Sequence, residues 1–191
     1  YSLNKSTYLN LRWIAYIGQL ITILFVKFIL DLTFDYLLCI FIVLFGALSN
    51  FYLFFRVKVN QLNNKLSTYF LLIDIFQLGC LFIVTGGITN PFIFLIIIPS
   101  IISSQYLYYL SSIFLVFVTI IFLTLLSFFY MSLPHTGELH FHAPNYYLYS
   151  IPISIIIGLC FLSYFGFKFG EESRTRKKAY EKIQELMARE S

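Results

Sequence analysis

Three groups of residues in this 191-residue sequence could do chemistry. The first is Asp74 with Gln77, three positions apart and so on one face of a helix, inside an apolar run over 66–84. A carboxylate in such a run marks an ion path or a functional site by default, and its plain alternative is an interhelical hydrogen bond that fixes packing. A single acid without a second one favours packing. The second group is Thr85-Gly86-Gly87-Ile88-Thr89-Asn90-Pro91-Phe92. One glycine in the left-handed conformation would stop a helix, Asn90 could cap the next one, and Pro91 fits its first position. A turn needs no more than that. The second glycine removes a further side chain, so something can approach the backbone. The following helix start would add N–H groups and a positive dipole end. Phe92 adds a flat face, and the set suits a flat, neutral ligand with carbonyl oxygens. The third group is His135, Glu138, His140 and His142. H-x-H beside a carboxylate is a donor set for a metal, yet loop histidines are commonly plain polar surface, and no metal site is assigned. Cys39, Cys80 and Cys160 are far apart, each within an apolar run, and read as buried thiols. No nucleophile–base pair, phosphate loop or nucleotide motif occurs, so no catalytic residue is assigned.

The elements that must position these residues follow from composition. The chain is 59% hydrophobic and 12% charged, with mean hydropathy +0.82. A soluble domain carries about 25% charge, so this is an integral membrane protein built as one bundle. Apolar runs near the 20 residues that cross a bilayer lie at about 11–30, 36–55, 66–84, 91–109, 112–130 and 147–169. The fourth is interrupted by Pro99, and Ser111-Ser112 is the weakest boundary. Backbone groups in lipid must be satisfied within the segment, and runs this long and evenly apolar are helices rather than barrel strands. The expected fold is all-α: a six-transmembrane-helix bundle over 1–169, then a juxtamembrane helical linker over 170–191. The opening Tyr1 in place of Met reads as a piece of a longer protein.

Charge orients the bundle. Of 13 Lys and Arg residues, two precede or open the first span, three lie in the second loop and seven close or follow the sixth span. Twelve therefore share the side of the termini and only Lys27 lies opposite, where it snorkels or pairs with Asp31. The positive-inside rule makes both termini cytoplasmic and puts the glycine turn on the outer face. Arg12 and Trp13 read as an interfacial anchor pair. From Glu171 the chain is charged and free of Gly and Pro, with Ala179, Ile183 and Leu186 at helical spacing. It is either a solvated or lipid-held helix or a signalling helix that pairs in a homodimer. It is too short and too close to the membrane to argue nucleic-acid binding.

Together these residues resemble a known family. Leu11-Arg12-Trp13, Gly18-Gln19-Leu20, Asp74 with Gln77-Leu78, and Gly86-Gly87-x-x-Asn90-Pro91-Phe92 are similar to the membrane domain of RegB/PrrB-type redox-sensing histidine kinases. Leu133-Pro134, Glu171-Glu172 and the ending Leu186-Met187-Ala188-Arg189-Glu190 extend the resemblance over essentially the whole chain. It implies a dimeric, ATP-dependent protein-histidine kinase in a bacterial inner (cytoplasmic) membrane, whose phosphoacceptor His, ATP domain and redox-active Cys lie beyond Ser191. It also implies ubiquinone sensing at Gly86, Gly87, Asn90, Pro91 and Phe92, with ubiquinone or ubiquinol as the ligand and a response regulator as partner. On that reading Asn90 and the first N–H groups of span four donate to a quinone carbonyl, and Phe92 stacks on the ring. The competing reading is a small transporter or channel-like bundle that uses Asp74.

Overall fold

The computed structural model describes residues 2–135 and 144–190. The chain runs β1 (Leu3–Asn4), α1 (Lys5–Phe28), α2 (Tyr36–Arg56), β2 (Gln61–Leu62), α3 (Asn64–Val84), α4 (Ile98–Tyr106), α5 (Tyr109–Phe128) and α6 (Asn145–Glu190). Two 3-10 turns, Gly87–Thr89 and Ile93–Ile97, join α3 to α4. Polar side chains start three of the helices: Asn4, Asp35 and Asn63 each accept a hydrogen bond from the backbone N–H three residues on, at 3.0, 3.1 and 2.9 Å. Each such cap contributes about 1 kcal/mol. Lys5 Nζ donates to the carbonyls of Phe54 and Val57, where α2 ends and its dipole is negative.

Short contacts tie the two ends of the bundle. At one end β1 pairs antiparallel with β2, which joins the start of α1 to the α2–α3 loop. At the other, Met131 N–H donates to the Ile83 carbonyl at 2.7 Å, and Thr33 bridges to His135. α3 is the central helix and buries Phe70, Leu71, Ile75, Leu78 and Phe82. Ile14, Phe41 and Leu110, by contrast, stay 69%, 69% and 79% exposed, as suits helices whose solvent is lipid.

Among the described residues five helices are long and apolar enough to cross a membrane: α1, α2, α3, α5 and α6. The expected fourth span over 91–109 is corrected. Its helical part is the 14-residue stretch Ile93–Tyr106, which begins as a 3-10 turn and becomes α-helical at Ile98. Pro99 does not interrupt this helix; it sits in its first turn, where no N–H is missed. At rises of 2.0 and 1.5 Å per residue the stretch is about 24 Å long, short of the ~30 Å hydrocarbon core. It nonetheless traverses the bundle. Asn64, at the start of α3, accepts from Tyr108 N–H at 2.8 Å and donates to Ser111 Oγ at 2.7 Å. The boundary expected at Ser111-Ser112 falls at Leu107-Tyr108 instead, and Ser112 lies inside α5.

The C-terminal residues continue α6 as expected. This helix runs for 46 residues, about 69 Å, with Pro152 inside it.

Candidate functional site

Asp74 lies at the centre of a polar network in the α1–α2–α3 interior. Arg12 Nη2 lies 2.8 Å and Nε 2.9 Å from Asp74 Oδ1. The Tyr8 and Tyr16 hydroxyls donate to the same carboxylate at 2.5 and 3.2 Å. Arg12 also reaches α2, where Nη1 donates to Asn50 Oδ1 at 3.3 Å and Nη2, shared with Asp74, donates to Ser49 Oγ at 2.6 Å. Asn50 in turn donates to the Leu9 carbonyl at 3.4 Å. The guanidinium carbon also lies 5.4 to 5.5 Å from the ring centres of Tyr8, Tyr16 and Phe70, which supply cation–π contacts. Arg12 is only 3% exposed.

This geometry corrects one expectation. Arg12 is not an interfacial anchor; it is buried and neutralised, so eleven basic residues, not twelve, argue for the side of the termini. Trp13, its sequence neighbour, packs edge-on against Phe51 at 4.9 Å. Asp74 joins α3 to α1, with both of its oxygens engaged by Arg12, Tyr8 and Tyr16. Gln77 donates to Gln19 Oε1 at 2.9 Å, a second polar tie between α1 and α3. A sequence signal for Arg12 existed. Tyr8, Arg12 and Tyr16 recur every four residues and so share one face of α1. Asn50 and Ser49 carried no such signal. Lys27 sits over the Tyr36 ring at 5.6 Å.

The turn over 85–92 is built largely from its own groups. Gly86 and Gly87 have φ of +107° and +55°, a conformation only glycine adopts without strain. Both are buried, and α5 with the segment after it fills the space beside them. A Cβ on Gly86 would lie 2.7 Å from Leu133 Cγ, and one on Gly87 would lie 2.6 Å from Tyr130 Cγ and 2.7 Å from the Leu126 carbonyl oxygen. Asn90 Nδ2 donates to the Thr85 carbonyl at 2.9 Å and to Thr85 Oγ1 at 2.8 Å, while Asn90 Oδ1 accepts from Phe92 N–H at 2.8 Å. Backbone N–H groups of Thr89, Asn90, Ile93 and Leu95 are likewise used within the turn. The expectation of ready donors on Asn90 and on the first N–H groups of span four is therefore corrected, because the amide and those N–H groups close the turn. Pro91 and Phe92 remain on the surface, and Phe92 is 47% exposed.

His135 Nδ1 lies 2.9 Å from the Leu133 carbonyl, and its own carbonyl accepts from Thr33. Glu138, His140 and His142 lie outside the described residues. Among the described residues no three His, Cys, Asp or Glu side chains gather as a metal site would require. The three cysteines are free thiols, Cys39 buried, Cys80 partly buried and Cys160 exposed.

Compared with known proteins, the chain is 29% identical over 185 residues to the sensor histidine kinase RegB of Cereibacter sphaeroides. The chain is a homologue of that protein's N-terminal part. The match covers 96% of this chain and 40% of RegB, so the chain spans well under half the length of its relative. No protein-family model and no solved structure matches. The relation to RegB agrees with the multi-pass helical architecture described above.

Proposed function

We propose that this chain is the membrane-embedded input domain of a sensor histidine kinase and that it responds to the redox state of ubiquinone at the turn over 85–92. The observation that carries the first part is the relation to RegB along nearly the whole chain. The 46-residue α6 supports it too, since a helix that leaves the bundle is the connection such a kinase needs. Beyond Arg174 this helix exposes Ile183 and Leu186, a short apolar stripe that we assign to pairing in a homodimer. The response regulator would be met through the kinase portion.

In this reading Pro91 and Phe92 are the face offered to the quinone ring, and Gly86, Gly87 and Asn90 are the frame that holds that face. A switch needs different affinities for quinone and quinol. The Asn90 amide and the N–H groups of Thr89, Asn90 and Phe92 close the turn itself, so they take no part in that discrimination. Aromatic contacts contribute on the order of 0.5–1.5 kcal/mol, so Phe92→Ala should weaken binding roughly threefold to tenfold while leaving thermal stability near the parent's. Titration of short-chain ubiquinone and ubiquinol into nanodisc-embedded protein checks this. Parental affinity for both forms in Phe92→Ala would remove the turn as the site.

On this proposal the chain crosses six times with both ends cytoplasmic, the fourth crossing made by the short segment through α4. Single cysteines at Ser2 and Thr89, at opposite ends of the bundle, should label from opposite sides of sealed vesicles, with Thr89→Cys accessible from the periplasm. Labelling of both from one side would overturn the orientation.

A further inference from the structure

We propose that the C-terminal end of α4 is a clamp that sets the direction in which α6 leaves the bundle. The chain passes from the glycine turn through two 3-10 turns directly into α4, so α4 is the turn's own extension. The last turn of α4 meets α6 backbone to backbone. Gly166 and Gly170, four apart on one face, allow that approach: a Cβ on Gly166 would collide with Ser104 Oγ, and one on Gly170 would lie 2.5 Å from the Gln105 carbonyl oxygen. One turn later Arg174 Nη1 donates to that same carbonyl at 3.0 Å. Gln105 is the penultimate residue of α4, where carbonyls lack helical partners and the dipole is negative, so a guanidinium is well suited to hold it.

Position along α6 makes this contact decisive. Arg174 is half-buried, whereas every residue from 175 to 189 is exposed. Among the described residues the clamp is therefore the last partly buried point on the helix. Whatever tilt or rotation α6 has at Arg174 is carried onward by the same unbroken helix. One turn before Gly166, on the same face, Ser163 is 4% exposed and its hydroxyl has no hydrogen-bond partner among the described residues. That buried, unpartnered hydroxyl gives a shifted setting of α6 a hydrogen bond to gain. The clamp deepens the function proposed above, and rests on it, by naming how the turn reaches the output helix.

The test is a pair of spin labels, at Asn60→Cys on the bundle and Tyr180→Cys on the helix, in a cysteine-free background diluted with unlabelled protein. The parent should give one narrow distance. Arg174→Ala should broaden the distribution roughly twofold, and Gly170→Leu should displace its centre by about the radius of a helix, ~2 Å or more. Arg176→Gln serves as control, because Arg176 pairs with Glu172 on the exposed surface of the same helix and should change nothing. Gly170→Ala replaces Gly170→Leu where the larger side chain prevents folding. Parental distributions in both Arg174→Ala and the folded Gly170 variant would overturn the clamp. Loss of quinone binding in none of the turn variants, with the clamp responding as expected, would overturn the quinone reading and leave the clamp standing.

Discussion

Asp74→Asn should cost the bundle about 3–5 kcal/mol, because it leaves the Arg12 guanidinium charged, buried and without a counter-ion. Asparagine keeps the size of the side chain and one acceptor oxygen, enough for the bond from Tyr8 or from Tyr16 but not both, so the loss reports charge together with one hydrogen bond rather than shape. Arg12→Met should do comparable damage from the other side by leaving the carboxylate unpaired. The double variant Arg12→Leu/Asp74→Leu removes both charges and should recover much of the loss, since replacing a buried pair with apolar groups is often neutral or better. Denaturant or thermal unfolding in one detergent, read by circular dichroism, gives all four values. Parental stability of Asp74→Asn would mean that the pair does not hold α1, α2 and α3 together.

Gly87→Leu should be the second severe change. At φ +55° any L side chain adds about 1–2 kcal/mol of backbone strain. Overpacking against Tyr130 and the Leu126 carbonyl adds about 1–3 kcal/mol more. Gly18→Ala is the matched contrast. Gly18 lies within α1 with nothing near its missing Cβ, so alanine there should stabilise by roughly 0.5–1 kcal/mol. Thermal unfolding should place these two variants on opposite sides of the parent. A Gly87→Leu protein as stable as the parent would show that the turn relaxes at no cost, and Leu133, Tyr130 and Leu126 would then not define its shape.

The helices with smooth apolar runs were readable from sequence because length and hydrophobicity alone specify a helix in lipid. The continuity of α6 past Glu171 was readable for a different reason: no glycine or proline interrupts its charged extension. Three features were not readable. Arg12 stands next to Trp13 at the start of an apolar run, which is also where an interfacial anchor would stand; only its partner on α3, 62 positions away, reveals burial. The α4–α5 boundary reads weakly, at Ser111-Ser112, because nothing charged separates the two apolar runs. Ser112 in fact faces Ser103 at 2.9 Å, and buried hydroxyls that satisfy one another between helices have the same composition as a turn. The glycine turn was located correctly, but the use of its groups was not. Asn90 has the residue type of a ligand donor, and whether its amide is open depends on Thr85, five positions back, folding under it.

The ion pair between α1 and α3 also constrains how the protein is made. Arg12 leaves the ribosome well before Asp74. A lone arginine or aspartate near the middle of a span opposes transfer into the bilayer by about 2.5–3.5 kcal/mol each, with Arg12 less deeply placed and so less penalised. Joining α1 to α3 removes both costs at once, so assembly of the two helices is favoured over their settling apart by about that amount. A chain truncated between Arg56 and Asp74 would lack the counter-charge, and its first helix would be the one that membrane quality control finds exposed.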